Sequence, residues 1–390
     1  MKKAIALLLG ITLLVTLLAA CGNTQNQGGS ADAQPSETST PSSTAPSDSA
    51  TTSDDHSDWI QLNLTYGSFL PSGHASEEQL RLFEEKCNER MDGLVDITIY
   101  SAGSMVSMTD TYDGVANGVV DMGFLMNSTC TGVLNLALLC DQPGFYYESG
   151  TAAAMAMNDY LKWVEENSNE FDEVIVLSTL GLAPQAIQLN KEVNSLDDLR
   201  GLTVYGAASY AEGMQAWGMV PSIMDFSEIY EATRNGLLDA CIQSVGSAAN
   251  ALFQEVCDYS YLCHVVGQAN CIVMNRDVFE QMPESQQQLF RELWQEVQEE
   301  YVNYYLEDFT YGNDTLSQEY CRDVKYFEVL PEEMEQEMYD LVKDLPDQYA
   351  QQCDAMGLPG TEALAYYREV LDKYNEMYPG DISVYTQWRE

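Results

Sequence analysis

Histidine is the side chain that most readily moves protons near neutral pH, and it occurs only three times in 390 residues, as His56, His74 and His264. No His-Glu-x-x-His pair is present to hold a catalytic metal, and no Gly-x-Ser-x-Gly elbow to present a nucleophile. The glycine patterns that cradle phosphates or dinucleotides are absent as well. Carboxylates are so numerous, at 61 Asp and Glu, that nearness of two of them would not mark an acid/base pair. Cys257, Cys263, His264 and Cys271 are the best candidates for a metal set, but the spacing C-x5-C-H-x6-C lacks the close cysteine pair of structural zinc sites. Buried thiols, or one disulfide among the three cysteines, fit that spacing better. Nine cysteines follow Cys21, an odd number that leaves at least one thiol free if all pairing is internal. His74 follows a Pro-Ser-Gly turn and opens a helix, where it either meets a ligand or fixes the turn by a hydrogen bond. These patterns indicate neither an enzyme nor a cofactor or metal site.

The elements that would position such residues alternate between strand and helix. Ile60 to Tyr66 alternates apolar and polar residues as a half-buried strand does. An amphipathic helix over Ala75 to Met91 puts Leu80, Leu82, Phe83 and Cys87 inside, and Asp92-Gly93 ends it. Strand Val95 to Tyr100, helix Thr109 to Asn117 and strand Val119 to Leu125 complete a βαβαβ unit, the mark of an α/β layer with a mostly parallel sheet. A helix at Thr151 to Asn167 leads to strands at Glu173–Thr179 and Ala186–Leu189. Ser195 and Gly201 bound a one-turn helix. Strand Leu202–Tyr205, helix Ser209–Gly218, strand Ser222–Met224, a helix capped by Ser227 and stopped by Gly236, and strand Ala240–Ser244 follow. From Pro283 to about Tyr311 runs a long helix with Phe290, Leu293, Trp294, Val297, Tyr301, Tyr304 and Tyr305 on one stripe. Strand Lys325–Val329 and helices Glu332–Tyr349 and Glu362–Tyr378 close the chain, and no internal repeat is present.

The first twenty residues read as a secretory signal peptide: Lys2 and Lys3, an apolar stretch to Leu18, then Ala19 and Ala20. Leu18-Ala19-Ala20-Cys21 resembles the bacterial lipobox, which implies cleavage before Cys21 and acylation of its thiol. Residues 22–58 contain no Val, Ile, Leu, Met, Phe, Trp, Tyr or Cys, so they bury too little apolar surface to offset the entropy of ordering. Such a tether reaches about 5–6 Å × √n, a few tens of Å. The folded body is expected from Trp59. Lys2 and Lys3 leave with the leader and six acids sit in the tether, so the body keeps 15 basic and 55 acidic side chains, net −40. That field repels nucleic acid and anionic lipid and keeps the body soluble.

One ordered series of segments is more specific. Asn190-Lys191, Ser195 to Leu202, Gly218, Phe226-Ser227-Glu228-Ile229-Tyr230 and Gly236-Leu237-Leu238-Asp239 occur in that order. Before them stand the Pro71-to-His74 turn, Ile97 to Ser104 and Asn117 to Gly123, and after them Asn275 to Pro283. The series resembles the substrate-binding receptors of tripartite ATP-independent periplasmic (TRAP) transporters, over residues 60 to about 310. The resemblance implies an α/β fold of two domains with a ligand cleft between them, closing by hinge bending, and a long helix spanning both. The domains would take residues 59–182 with about 270–310, and 183–269 with about 311–390. It also implies a small-molecule ligand and two integral membrane subunits as partners. The receptor itself would be a monomer on the outer face of the cytoplasmic membrane, held there by the lipid on Cys21. A binding protein of an ATP-driven importer and an anchored hydrolase are the competing readings.

Carboxylate-binding members of that family carry Arg where this chain has Tyr205, and a second Arg near the position of Gln185. Their strand Asn corresponds to Gln243, and their Gly after Asp239 to Ala240. A neutral or zwitterionic ligand, polar and with aromatic compounds included, is therefore expected in place of a dicarboxylate. Tyr205, Gln185 and Gln243 would hydrogen-bond it, Phe226 and Trp217 would wall the cleft, and Met126, Asn127 and His74 would reach it from the first domain.

Overall fold

Two mixed sheets, each with helices on both faces, carry the chain in a computed structural model that describes residues 56–305 and 315–380. Cys21, the leader and most of the tether lie outside the described residues. Along the first sheet run β1 (Leu62–Gly67), α1 (Ala75–Arg90), β2 (Val95–Tyr100), α2 (Thr111–Ala116) and β3 (Met122–Met126), then α3 (Gly150–Asn167) and β4 (Val174–Leu182). The chain crosses over at Ala183-Pro184 into β5 (Gln185–Leu189), β6 (Thr203–Tyr205), α4 (Ala211–Ala216), β7 (Val220–Ser222), α5 (Ile229–Arg234), β8 (Ala240–Gln243), α6 (Val245–Asn250) and β9 (Tyr259–Cys263). It returns through β10 (Gln268–Asn275), α7 (Arg276–Glu280) and α8 (Glu284–Tyr305). It ends with α9 (Thr315–Asp323), β11 (Tyr326–Val329), α10 (Glu332–Val342), α11 (Leu345–Ala355) and α12 (Gly360–Met377).

The first sheet has the order β2-β1-β3-β10-β4, and the second β11-β9-β5-β8-β6-β7. β1 lies parallel to β2 and β3, as the βαβαβ pattern requires, while β10 is antiparallel to β3 and β4. β5 is antiparallel to β8 and β9, whereas β6 is parallel to β7 and β8. The two crossings from sheet to sheet, Leu182 to Gln185 and Cys263 to Gln268, thus join four strands that lead straight into the space between the sheets.

Four apolar cores hold this frame. On one face of the first sheet, Phe83 of α1 stacks on Trp294 of α8 with ring centroids 4.2 Å apart, beside Phe290, Leu293 and Val297. An aromatic pair of that kind adds about 0.5–1.5 kcal/mol beyond its buried area. On the other face α3 packs against α11 and α12 through Tyr160, Leu161, Val164, Cys353, Leu364, Tyr367 and Leu371. Helices α4 and α10 cover one face of the second sheet with Met214, Trp217, Met334 and Met338, and α5, α6 and α9 cover the other.

The structure differs from the sequence reading in places that have physical causes. The segment 311–390, expected wholly with the second domain, is divided: β11 and α10 join the second sheet, but α11 and α12 pack on α3. The single helix expected over Glu332–Tyr349 is two, because Pro346 has no N–H to continue α10 and instead stands in the first turn of α11. The strand expected at Ser222–Met224 is β7, two residues earlier, in register with β6 from Thr203↔Val220 to Tyr205↔Ser222. Asp225 and not Ser227 caps the turn that follows: its Oδ1 accepts the Ser227 N–H at 3.1 Å and the Ser227 hydroxyl at 2.9 Å. Gly236 does stop α5, at φ +73°. All nine described cysteines are buried free thiols, and Cys257, Cys263 and Cys271 lie in three different cores, so no disulfide joins them.

Candidate functional site

The carboxyl ends of β3, β4, β6 and β8 face one another across the crossings, the position where open α/β sheets place their ligands. A partly enclosed cavity lies there, lined by seventeen residues. From the first sheet come Phe69 and Leu70 after β1, His74, Phe124 and Met126 of β3, Leu180 and Leu182 of β4, and Gln268 and Asn270 of β10. From the second come Gln185 of β5, Tyr205 of β6, Ala207, Phe226, Ile242 and Gln243 of β8, and Ser244 and Ser247. Phe226 packs against apolar cores of both sheets. Phe69 and Phe226 also line a second, outer hollow with Asp225, Ser227 and Tyr230, so the two rings stand between the cavity and the surface.

None of the seventeen residues is Lys, Arg, Asp or Glu. His74 is the one that could still carry charge, and burial pushes its imidazole down to about 4, so the ring is neutral at physiological pH. Its Nδ1 accepts the Ser76 N–H at 3.2 Å, capping α1, which assigns the ring proton to Nε2. The ring therefore fixes the turn and faces the cavity at once. Burial pushes the Tyr205 phenol up, so its hydroxyl stays protonated and can donate. Behind β10, Asp141 accepts the Ala269 N–H at 2.6 Å, and burial pushes its carboxyl up to about 8. Burial thus favours the uncharged form of this acid behind the floor.

The polar lining is made of amides and hydroxyls. Gln185 donates Nε2–H to the Leu182 carbonyl at 2.5 Å, tying the side chain to the first crossing. Gln268 donates to Asn270 Oδ1 at 3.0 Å. Ser244 caps α6, accepting the Ser247 N–H at 3.1 Å. Gln243 is 6 % exposed, and both its amide atoms lack a partner among the described residues. Its backbone is fixed, with the carbonyl accepting from Gln188 at 3.2 Å.

Of the eight residues expected from sequence, the structure brings Tyr205, Gln185, Gln243, Phe226, Met126 and His74 around this one cavity. Trp217 is a correction. It is 1 % exposed within the core under α4, and its Nε1 donates to the Met338 carbonyl at 2.9 Å, so it braces α10 and does not wall the cleft. Asn127 is also away from the lining, buried beside Cys271 at the turn after β3. Sequence reasoning missed Phe69, Phe124, Gln268, Asn270, Ser244 and Ser247. The signal for two of these was present: in the apolar run of β10, Gln268 and Asn270 are amides in a strand otherwise buried on both faces.

The model of bacterial extracellular solute-binding protein family 7 matches residues 66–352. The chain belongs to that family. It is an extracytoplasmic solute-binding protein, and the family it joins consists of transport binding proteins. A solute-binding protein of Sulfitobacter sp. (strain NAS-14.1) is 24% identical over 298 residues, covering 76% of this chain and 89% of the relative. Among solved structures, a marine-metagenome TRAP solute-binding protein specific for aromatic acid ligands, in complex with metahydroxyphenylacetate, superimposes with a TM-score of 0.72 at 18% identity, covering 81% of this chain and 100% of that one. An extracytoplasmic solute receptor of Bordetella pertussis that binds pyroglutamic acid does so with a TM-score of 0.69 at 18% identity, covering 79% and 99%. The resemblance read from the sequence, and the two-sheet receptor fold it implied, are thereby borne out. Among the described residues no helix is long and apolar enough to cross a membrane.

Proposed function

We propose that this receptor captures an uncharged, polar organic molecule between its two sheets and hands it to the membrane subunits of a TRAP transporter. The observation that carries the ligand part is the absence of any charged side chain among the seventeen lining residues. The solved relatives named above bind acids. A carboxylate enclosed here would lose its water and gain no counter-charge, which costs several kcal/mol. A zwitterion would meet the same difficulty twice. The family's cationic anchors are replaced by Tyr205 and Gln185, which offer hydrogen bonds of no net charge. Binding closes the sheets over the ligand, with Phe69 and Phe226 shutting the mouth. The proposed moving domains are residues 59–182 with 270–310, on which α11 and α12 ride through α3, and residues 183–269 with the 311–344 part of the chain.

The proposal extends to the N-terminus. A lipid on Cys21 and the tether after it would hold a monomeric receptor beside its membrane partners at raised effective concentration. A thermal-shift screen of the protein against a metabolite library, arranged in matched uncharged and anionic pairs, tests the ligand reading. A ligand at 100 times its Kd adds about 2.7 kcal/mol of stability. Stabilisation by uncharged members supports the reading, and stabilisation confined to carboxylates overturns it.

A further inference from the structure

Resting on that receptor reading, we infer that the ligand is a flat, uncharged ring bearing an amide edge, an N–H donor next to a carbonyl acceptor, which pairs with the side chain of Gln243. Lactams, nucleobases and aromatic carboxamides share this chemistry. Three observations converge on it. Among the lining residues Gln243 is the one whose two amide atoms are both buried without a partner. A side-chain amide needs an acceptor for its NH₂ and a donor for its oxygen, and an amide edge supplies both in one plane. Leaving both unmade in the loaded receptor would be costly, so the ligand is selected for having them.

The second observation is the distribution of the other lining groups. The first sheet presents a broad apolar surface, with Phe69, Leu70, Phe124, Met126, Leu180 and Leu182. A sugar or polyol directs hydroxyls to all sides and would leave those on this side unpaired. A ring with polar edges and apolar faces fits instead. The third is the aromatic content on both sides of the cavity. Phe69 and Phe124 on the first side meet edge to face at 5.8 Å, and Tyr205 and Phe226 stand on the second. Such surroundings favour a flat partner over a puckered one.

The test is titration calorimetry of the full chain with uracil, hypoxanthine and nicotinamide as amide-edged probes. Orotate and nicotinate serve as charged counterparts, phenol as a ring without the edge, and ribose as a hydroxyl-only probe. At least one amide-edged probe is expected to bind tenfold or more tighter than every other class. Gln243→Leu is expected to weaken that probe by about thirtyfold while leaving phenol unchanged, a split that mere loss of packing would not produce. Should Gln243→Leu fail to fold, Gln243→Glu keeps the side-chain length, removes the donor and is expected to weaken the same probe. Tightest binding by ribose overturns the amide edge and leaves the receptor for uncharged solutes standing. Tightest binding by orotate or nicotinate overturns both. Binding by none of the three amide-edged probes, or unchanged affinity in the Gln243 variants, overturns the amide edge alone.

Discussion

The two walls of the cleft are built for different tasks. The wall from the first sheet is mainly apolar, and its three polar members are already engaged or neutral: Gln268 bonds Asn270, and His74 caps α1. The wall from the second sheet supplies Gln185, Tyr205, Gln243, Ser244 and Ser247 at strand and helix ends. The first wall can displace water from a ligand without asking much about its identity. The second can read where its donors and acceptors lie. A receptor divided in this way gains affinity from one sheet and selectivity from the other, and neither wall uses charge.

The largest expected effect comes from placing a charge in the reading wall. Tyr205→Arg should admit benzoate and reject uncharged ligands, shifting the ratio of the two affinities by about a thousandfold, equivalent to about 4 kcal/mol. Competition calorimetry at fixed salt measures it. Next is the acid response of the first wall. The folded chain keeps His74 neutral down to about pH 4, whereas the unfolded chain takes up its proton near 6.5. Stability from this residue is therefore fully present above about pH 6.5 and is lost as pH falls towards 4, by about 3 kcal/mol at 1.36 kcal/mol per pH unit. His74→Asn keeps an N-cap acceptor and removes the titration, so denaturant melts from pH 7 to 4 should show a flatter profile by about that amount.

Smaller effects sharpen the contrast between the walls. Phe69→Ala should weaken every bound ligand by a similar factor of about ten, since it removes apolar surface and no hydrogen bond. A strongly unequal effect among ligands would show that the first wall also selects. Ser244→Ala should cost about 1 kcal/mol of unfolding free energy through the lost cap of α6, measured by denaturant melts.

Much of this arrangement was legible before the structure. The βαβαβ start is written in alternating β1 and the amphipathic α1, and local periodicity is what a sequence displays best. Tyr205, Gln185 and Gln243 stand at strand ends that the family pattern marks. Trp217 misled because an aromatic on a short helix looks the same whether its ring faces a cleft or, as here, bonds Met338 in a core. Strands β9 and β10 went unread because YSYLC and QANCIVMN are buried on both sides and lack alternation. Their pairing partners lie far along the chain, so the two amides in β10 stand out as unusual while nothing local says that they return to the site. The packing of α12 on α3 is likewise a long-range fact, fixed by Tyr374 meeting Asp159 at 2.6 Å and supported by Tyr367 meeting Tyr147, just before α3, at 3.1 Å.

The claim that the cleft holds an uncharged molecule has one direct test. The receptor is incubated with a rich metabolite extract, washed, denatured, and its released ligand identified by mass spectrometry. The account predicts a stoichiometric compound with no ionised group at neutral pH. A carboxylate or a zwitterion released at one equivalent per chain would contradict it.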